Sequence, residues 1–279
     1  MARASAMTEL VMRMVKLGNA PIKTSRLGLG TSRLHYLGRR ERQSILAAAF
    51  ELGIVHFDTA PPYGDGLAET ELGHFLHGRR EQVVIATKYG LPIDPVLAQM
   101  PSLSWSLRAA RSLARKIGYW QQQMPLLTVS GLRSSVEGSL RRLRTDRIDL
   151  LLLHEPSVDR MRAADSLLAE LNGLRARGLI RAFGLAGKWK GLRSVIEEWP
   201  DTGQILQTAE NEWEPSRPPD VAYGAISGGA QSFWSGASQE GACERVARAL
   251  NRRRDKVLLV STTKVEHLRE LAEVESRER

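Results

Sequence analysis

The chain has 279 residues, 42% hydrophobic and 25% charged, a soluble globular composition whose length suits one large domain or at most two small ones. Its single cysteine, Cys243, rules out a disulfide within the chain and points to a reducing compartment, so a cytoplasmic protein is expected. The net charge of +9 raises nucleic acid as a partner, but the densest basic stretches (39–42, 108–116 and 252–256) carry no interleaved aromatic motif and lie among helices that also hold acids, so none is expected.

Met1 to Lys16 contains Glu9 and Arg13, which interrupt the apolar core that a signal peptide needs, and no window reaches the apolar length of a membrane span. From there short apolar runs alternate with amphipathic segments. Leu27 to Gly30 reads as a first strand and Glu41 to Leu52 as a helix with Ile45, Ala48, Ala49 and Leu52 on one face. Ile54 to Phe57 is a strand that stops on Asp58; a Pro-Pro-Tyr-Gly-Asp-Gly turn then leads into a helix from Leu67 to Leu76. Strands follow at 82–87 and 148–153, separated by a helix from Val129 to Leu143 with Leu132, Val136, Leu140 and Leu143 in register. A helix over 163–177 closes on Gly178 and a strand runs from Ile180 to Ala186. The remaining expectations are helices at 192–199, 241–252 and 264–272 and strands at 204–208, 220–226 and 257–260.

Eight strands and seven helices in alternation point to a (β/α)8 TIM barrel, an α/β fold in a single domain over 1–279. A doubly wound open sheet is the rival, but the glycine-rich dinucleotide turn after its first strand is missing. Two stretches break the rhythm. Residues 91–127 form a long insertion after the third strand, with an amphipathic basic piece from Ser104 to Ile117, placed where such loops shape a site. Residues 212–219 are Pro-rich and too short for a crossover helix, which leaves one outer helix open to being absent.

Three consecutive strands end on ionisable residues: Asp58, with Tyr63 in the loop beyond it, then Lys88, then His154. Active sites of such barrels lie at the C-terminal ends of the strands, and neighbouring strands are ~5 Å apart, so these side chains can converge. Each alone has a structural reading. Asp58 can cap a turn, Tyr63 can pack, Lys88 can snorkel to solvent and His154 can be a satisfied core histidine. A Zn²⁺ hydrolase would need three or four converging ligands, and only Asp58 and His154 are well placed, His56 having no evident partner.

Taken together the residues resemble the aldo-keto reductase family. The matches are Asp58-Thr-Ala60, Tyr63-Gly64, Gly66, Glu69, Leu72-Gly73, Thr87-Lys88, Ser135 to Leu143 and Asp149 to Pro156, dense from Leu27 to Gly184 and sparser beyond. The resemblance implies a (β/α)8 barrel that binds NADPH (NADP+), with NADH also admissible, and interconverts a small-molecule aldehyde or ketone and its alcohol. It implies Tyr63 as general acid, Lys88 beside it lowering its pKa, Asp58 holding Lys88, and His154 orienting the carbonyl. It makes Gly30 and Thr31 cofactor-binding residues, and places Gln207 and Tyr223 at the nicotinamide and Thr263, Lys264, His267 and Glu270 at the adenosine side, where Thr263 to Glu266 reads as a capping box opening the last helix. Three positions depart from the pattern: Ala186 and Gly187 where a Ser-Asn pair grips the carboxamide, and Leu271 where an Asn is expected. That altered cradle keeps a second reading in view, a non-catalytic nicotinamide-binding or sensing module of the same fold.

Overall fold

Along one strand Leu150, Leu152 and His154 face one way and Leu151 and Leu153 the other, as the two-residue period of a strand requires. Both faces are buried because both pack: Leu150 and Leu152 join one apolar cluster and Leu151 and Leu153 another. The same division holds all around the molecule, since a parallel sheet closed into a barrel has an inside and an outside and no edge.

The computed structural model describes residues 12–93, 124–214, 216–226 and 241–278. An antiparallel hairpin, β1 (Met14–Lys16) and β2 (Lys23–Ser25), comes first. Then follow β3 (Leu27–Gly30), α1 (Arg39–Glu51), β4 (His56–Asp58), α2 (Leu67–Phe75), β5 (Val84–Tyr89), α3 (Val129–Leu143), β6 (Ile148–His154), α4 (Ala164–Ala176), β7 (Ile180–Ala186), α5 (Trp189–Glu198), β8 (Leu206–Ala209), β9 (Val221–Tyr223), α6 (Ala242–Arg252), β10 (Val257–Val260) and α7 (Val265–Arg277). Strands β3 to β10 pair in parallel in chain order, and β10 returns to β3 to close an eight-stranded barrel. The expected (β/α)8 fold is therefore present. Between β8 and β9 no helix occurs among the described residues, as the Pro-rich sequence there suggested. The basic piece expected from Ser104 to Ile117 lies outside the described residues. No helix among the described residues is long and apolar enough to cross a membrane.

The barrel interior holds Val84, Ala86, Leu150, Leu152, Ala182, Ile205, Val221, Val257 and Leu259, and Val15, Leu17, Ala20 and Ile22 of the β1–β2 hairpin join them as a plug at the floor. Neither short strand stood out in the sequence, because Lys16 and Lys23 interrupt their apolar pattern. The larger cluster lies between the barrel and the helices. Helix α3 forms as the periodicity predicts. The Thr128 hydroxyl accepts the Gly131 N–H at its start, and Leu132, Val136 and Leu143 face inward.

Helices α2 and α3 approach so closely that a Cβ at Gly73 would come within 2.3 Å of the Arg142 carbonyl oxygen. The obstruction is backbone, which cannot swing aside as a side chain can. Gly73→Ala is expected to lower stability by about 1–3 kcal/mol, the cost of overpacking, measured as a shift in the urea unfolding midpoint; an unchanged midpoint would mean that the two helices separate freely.

Candidate active site

The stagger of the strands brings the three predicted strand ends together. Asp58 on β4 lies level with Ala86 on β5, Lys88 lies two residues further along β5 and level with Leu152 on β6, and His154 lies two further along β6. His154 in turn is level with Ala186 on β7, which pairs with Gln207 on β8. The steps of two keep the residues on one face of their strands, so all point into the barrel mouth.

At the centre is a buried ion pair. Lys88 is 2% exposed and Asp58 3%. The Lys88 ammonium donates to Asp58 Oδ1 at 2.7 Å, to the Thr59 carbonyl at 2.9 Å and to the Tyr63 hydroxyl oxygen at 3.4 Å. Those three bonds use all three ammonium hydrogens. Asp58 Oδ2 accepts from Gln207 Nε2 at 3.0 Å, so each carboxylate oxygen is engaged. Asp58 therefore does more than cap a turn, and Lys88 does not snorkel outward.

Because the Tyr63 oxygen accepts from Lys88, its own O–H is left to donate elsewhere. Its ring meets that of His154 edge-on, with centroids 6.4 Å apart. Burial pushes the Tyr63 phenol above its ordinary value; Lys88 works against that shift and Asp58 reinforces it. Lys88 lowers the phenol as expected, but taking the phenol out of water outweighs the nearby cation, so the net shift is upward and Tyr63 is a neutral O–H at physiological pH. For Lys88, burial opposes the charge, but Asp58 and Tyr63 overcome it and hold the ammonium above its ordinary value. His154 goes the other way, down to about 3, through burial and then the positive charges of Lys88 and Arg160. It is a neutral imidazole whose buried Nδ1 has no hydrogen-bond partner among the described residues, which sets it apart from a satisfied core histidine.

The other predicted site residues fall in several settings. Thr31 is fully buried, its backbone N–H and hydroxyl both donating to the Asp58 carbonyl oxygen. Gly30 leaves room for the Ser261 hydroxyl, which donates to its carbonyl; a Cβ there would lie 2.5 Å from that oxygen. Gln207 keeps its Oε1 buried and without a partner among the described residues. Tyr223 is half-buried at the end of β9, packed on the barrel interior. Thr263, Lys264, His267 and Glu270 are exposed at the start of α7. The capping box expected at Thr263 does not form. The residue flanking the helix is Lys264, without a side-chain cap, and the preceding Thr262 hydroxyl takes the Lys264 N–H at 3.1 Å. The helix begins one residue later than its sequence signature indicates.

Two departures from the family pattern have structural explanations. Leu271 is buried in the outer core, so its position serves packing. At Gly187 a Cβ would stand 2.9 Å from a Glu155 carboxylate oxygen; Glu155 fills the space that a larger residue at 187 would need. His56, which had no evident partner in the sequence, lies fully buried at the barrel floor with Nδ1 3.3 Å from the Thr24 hydroxyl of the hairpin. Among the described residues no three His, Cys, Asp or Glu side chains gather as metal ligands. Sequence reasoning missed Arg160 and Glu155: the partners of Arg160 are backbone carbonyls, and the contact of Glu155 is with Gly187; the one sequence signal was an acid directly after the strand-end histidine.

Two outcomes test these electrostatics. Lys88→Met leaves Asp58 buried and unpaired, and is expected to cost about 3–5 kcal/mol; adding Asp58→Asn should recover most of that loss in a denaturation cycle. His56 is held at about 4, mainly by burial. The unfolded chain therefore binds more protons than the folded one between about pH 6.5 and about 4, and stability should fall as pH drops through that window. His56→Gln should flatten the slope by close to one proton.

The chain matches the sequence profile of the Aldo/keto reductase family over residues 26–205. It is 35% identical over 168 residues to a D-threo-aldose 1-dehydrogenase of a Pseudomonas species, covering 57% of this chain and 49% of that one. It is 34% identical over 184 residues to the NADH-specific methylglyoxal reductase of Escherichia coli, covering 63% and 52% respectively. The chain thus spans about half the length of these curated relatives. An aldo-keto reductase from Klebsiella pneumoniae, solved in complex with NADPH, superposes with a TM-score of 0.66 at 20% identity over 95% of this chain and 90% of that one. The barrel, the convergent strand ends and the matched profile together place this chain in the aldo-keto reductase family.

Proposed function

We propose that the chain is an oxidoreductase that interconverts a small polar aldehyde or ketone and its alcohol with a nicotinamide nucleotide, NADPH in the first place and NADH as an alternative. The observation that carries this reading is the Tyr63 hydroxyl, 3.4 Å from an ammonium whose other hydrogens are taken by Asp58 and Thr59.

The nucleotide, when bound, supplies the hydride that no side chain can. Features of the site fit it: Gln207 offers a buried Oε1 without a partner among the described residues, suited to an amide N–H, and Lys264 and His267 add basic side chains at the start of α7. The same helix start with an exposed lysine suits a 2′-phosphate, which favours NADPH.

Tyr63 donates its phenolic proton to the carbonyl oxygen as negative charge grows there. Lys88 stabilises the phenolate that this leaves, and Asp58 keeps Lys88 charged and aimed. His154, held neutral, retains one N–H with which to bond the same carbonyl oxygen and fix its direction. Alcohol oxidation retraces the same path through the Tyr63 phenolate, the minor form of a phenol held above its ordinary value, so that direction is favoured by higher pH. The relatives named for an aldose and for methylglyoxal support small polar carbonyls as the substrate class.

Absorbance of the reduced nucleotide over a panel of aldehydes, ketones and alcohols should reveal turnover. Tyr63→Phe should lower kcat about 10²–10⁴-fold with nucleotide affinity, titrated by fluorescence, unchanged. Turnover by Tyr63→Phe within threefold of the parent would remove Tyr63 from the chemistry. Nucleotide binding without turnover of any carbonyl or alcohol would favour the sensing module instead.

A further inference from the structure

Beyond Asp58, Tyr63, Lys88 and His154, one charged side chain stands out at the mouth. Arg160 lies in a short 3-10 turn (Val158–Arg160) just after β6 and is 7% exposed. No carboxylate pairs with it among the ion pairs of the described residues. Its guanidinium instead collects backbone carbonyls from three segments. Nε donates to Pro125 at 2.9 Å. Nη1 donates to His154 at 3.2 Å and also to Glu155. Nη2 donates to Gly90. Its own carbonyl accepts the Leu127 N–H at 2.8 Å.

These partners sit around His154. Gly90 follows the last residue of β5, and a Cβ at 90 would come within 2.7 Å of the His154 carbonyl oxygen. Pro125 and Leu127 precede α3. Glu155 immediately follows His154 and is one of three non-glycine residues with positive φ among the described residues, at 49°. A non-glycine residue stays in that conformation only when its surroundings over-determine it. The left-handed turn at Glu155 directs two successive carbonyls at one Arg160 nitrogen, and the Glu155 N–H is held by the Ala186 carbonyl at 2.7 Å.

We infer that Arg160 is a positioning residue for catalysis: by gathering the carbonyls of Gly90, Pro125, His154 and Glu155 it holds the end of β6 in its left-handed turn and so fixes where the His154 imidazole stands relative to Tyr63. Only arginine offers a planar fork of five donors able to serve four carbonyls at once. Without it several carbonyl dipoles would face one another in a buried space with no donor, and β6 would relax its turn. Its charge adds to that of Lys88 in keeping His154 neutral. Small displacements of a positioned group are enough to cost about a hundredfold in rate.

The inference rests on His154 acting in the reaction, and the experiment separates the two. Arg160→Met, Arg160→Lys, Arg160→Met/Glu155→Gly and His154→Gln are compared in the full chain by steady-state kinetics, nucleotide fluorescence titration and the folded fraction from circular dichroism. Arg160→Met should lower kcat per folded molecule about a hundredfold with nucleotide affinity within twofold of the parent. Arg160→Lys, which keeps the charge but loses the fork, should fall between the two. Glu155→Gly, which adopts positive φ without strain, should recover at least fivefold in the Arg160→Met background. An Arg160→Met kcat within threefold of the parent overturns the inference. So does an absence of recovery with Glu155→Gly, or a loss that tracks the folded fraction, including failure of both Arg160 variants to fold, because Arg160 is then a strut of the fold. If His154→Gln itself keeps full kcat, it is the role of His154 that fails; if His154→Gln loses kcat while Arg160→Met does not, only the role of Arg160 fails.

Discussion

The Asp58–Lys88 pair is the constraint around which the barrel mouth is organised. Two charges almost wholly removed from water are tolerable only in good geometry with further hydrogen bonds to both, and here each carboxylate oxygen and each ammonium hydrogen has a partner. Asp58 meets Lys88 and Gln207, and Lys88 meets Asp58, the Thr59 carbonyl and Tyr63. The partners come from β4, β5, β8 and the loop after β4, so satisfying one carboxylate fixes side chains from both sides of the barrel. The function proposed for Tyr63 is a by-product of that satisfaction. The third ammonium hydrogen needs an acceptor, the phenol oxygen supplies it, and the phenol hydrogen is then left to give away.

The barrel holds two buried histidines, one at each end. His56 at the floor and His154 at the mouth are both neutral, and burial is the first cause for each. His56 has the Thr24 hydroxyl beside Nδ1, supplied by the N-terminal hairpin that plugs the floor. The buried Nδ1 of His154 has none among the described residues. Each histidine keeps one buried ring nitrogen without a partner among the described residues, Nε2 of His56 at the floor and Nδ1 of His154 at the mouth; what separates them is place, His154 lying beside Tyr63 and His56 beneath the hairpin.

Much of this was legible in the sequence. Strand ends at Asp58, Lys88 and His154 could be read because each follows an apolar run, and the barrel's alternation gives those ends a common face. Helix α3 was recovered with both ends because Thr128 caps it and its apolar stripe is unbroken. Elements defined by few residues were not legible. The strands β1 and β2 have three residues each, and their outward lysines hide the inward Val15 and Thr24. The α7 start slipped by one residue because the Thr263-x-x-Glu266 spacing has the form of a capping box, whereas the backbone makes Lys264 the residue that flanks the helix. The direction of the Tyr63 shift was also out of reach. A sequence shows that a lysine is near, but not that the phenol is buried deeply enough for desolvation to outweigh it. Arg160 escaped for a related reason: its partners are backbone carbonyls, which leave no mark in residue types.

The departures at 186–187 and 271 gain a different meaning once packing is known. Leu271 belongs to the outer core. Gly187 and Glu155 share one space: the carboxylate occupies the volume that a side chain at 187 would claim and accepts from the Lys188 backbone N–H at 3.4 Å at the start of α5. The space beside Gly187 at the end of β7 is thus taken by the Glu155 side chain from the end of β6. That side chain hangs from the same left-handed residue whose carbonyl Arg160 holds. The turn at 155 thus carries both the carboxylate that stands over Gly187 and the carbonyl that Arg160 binds next to that of His154. Replacing Gly187 alone with a larger residue would displace Glu155 before it could restore any other contact.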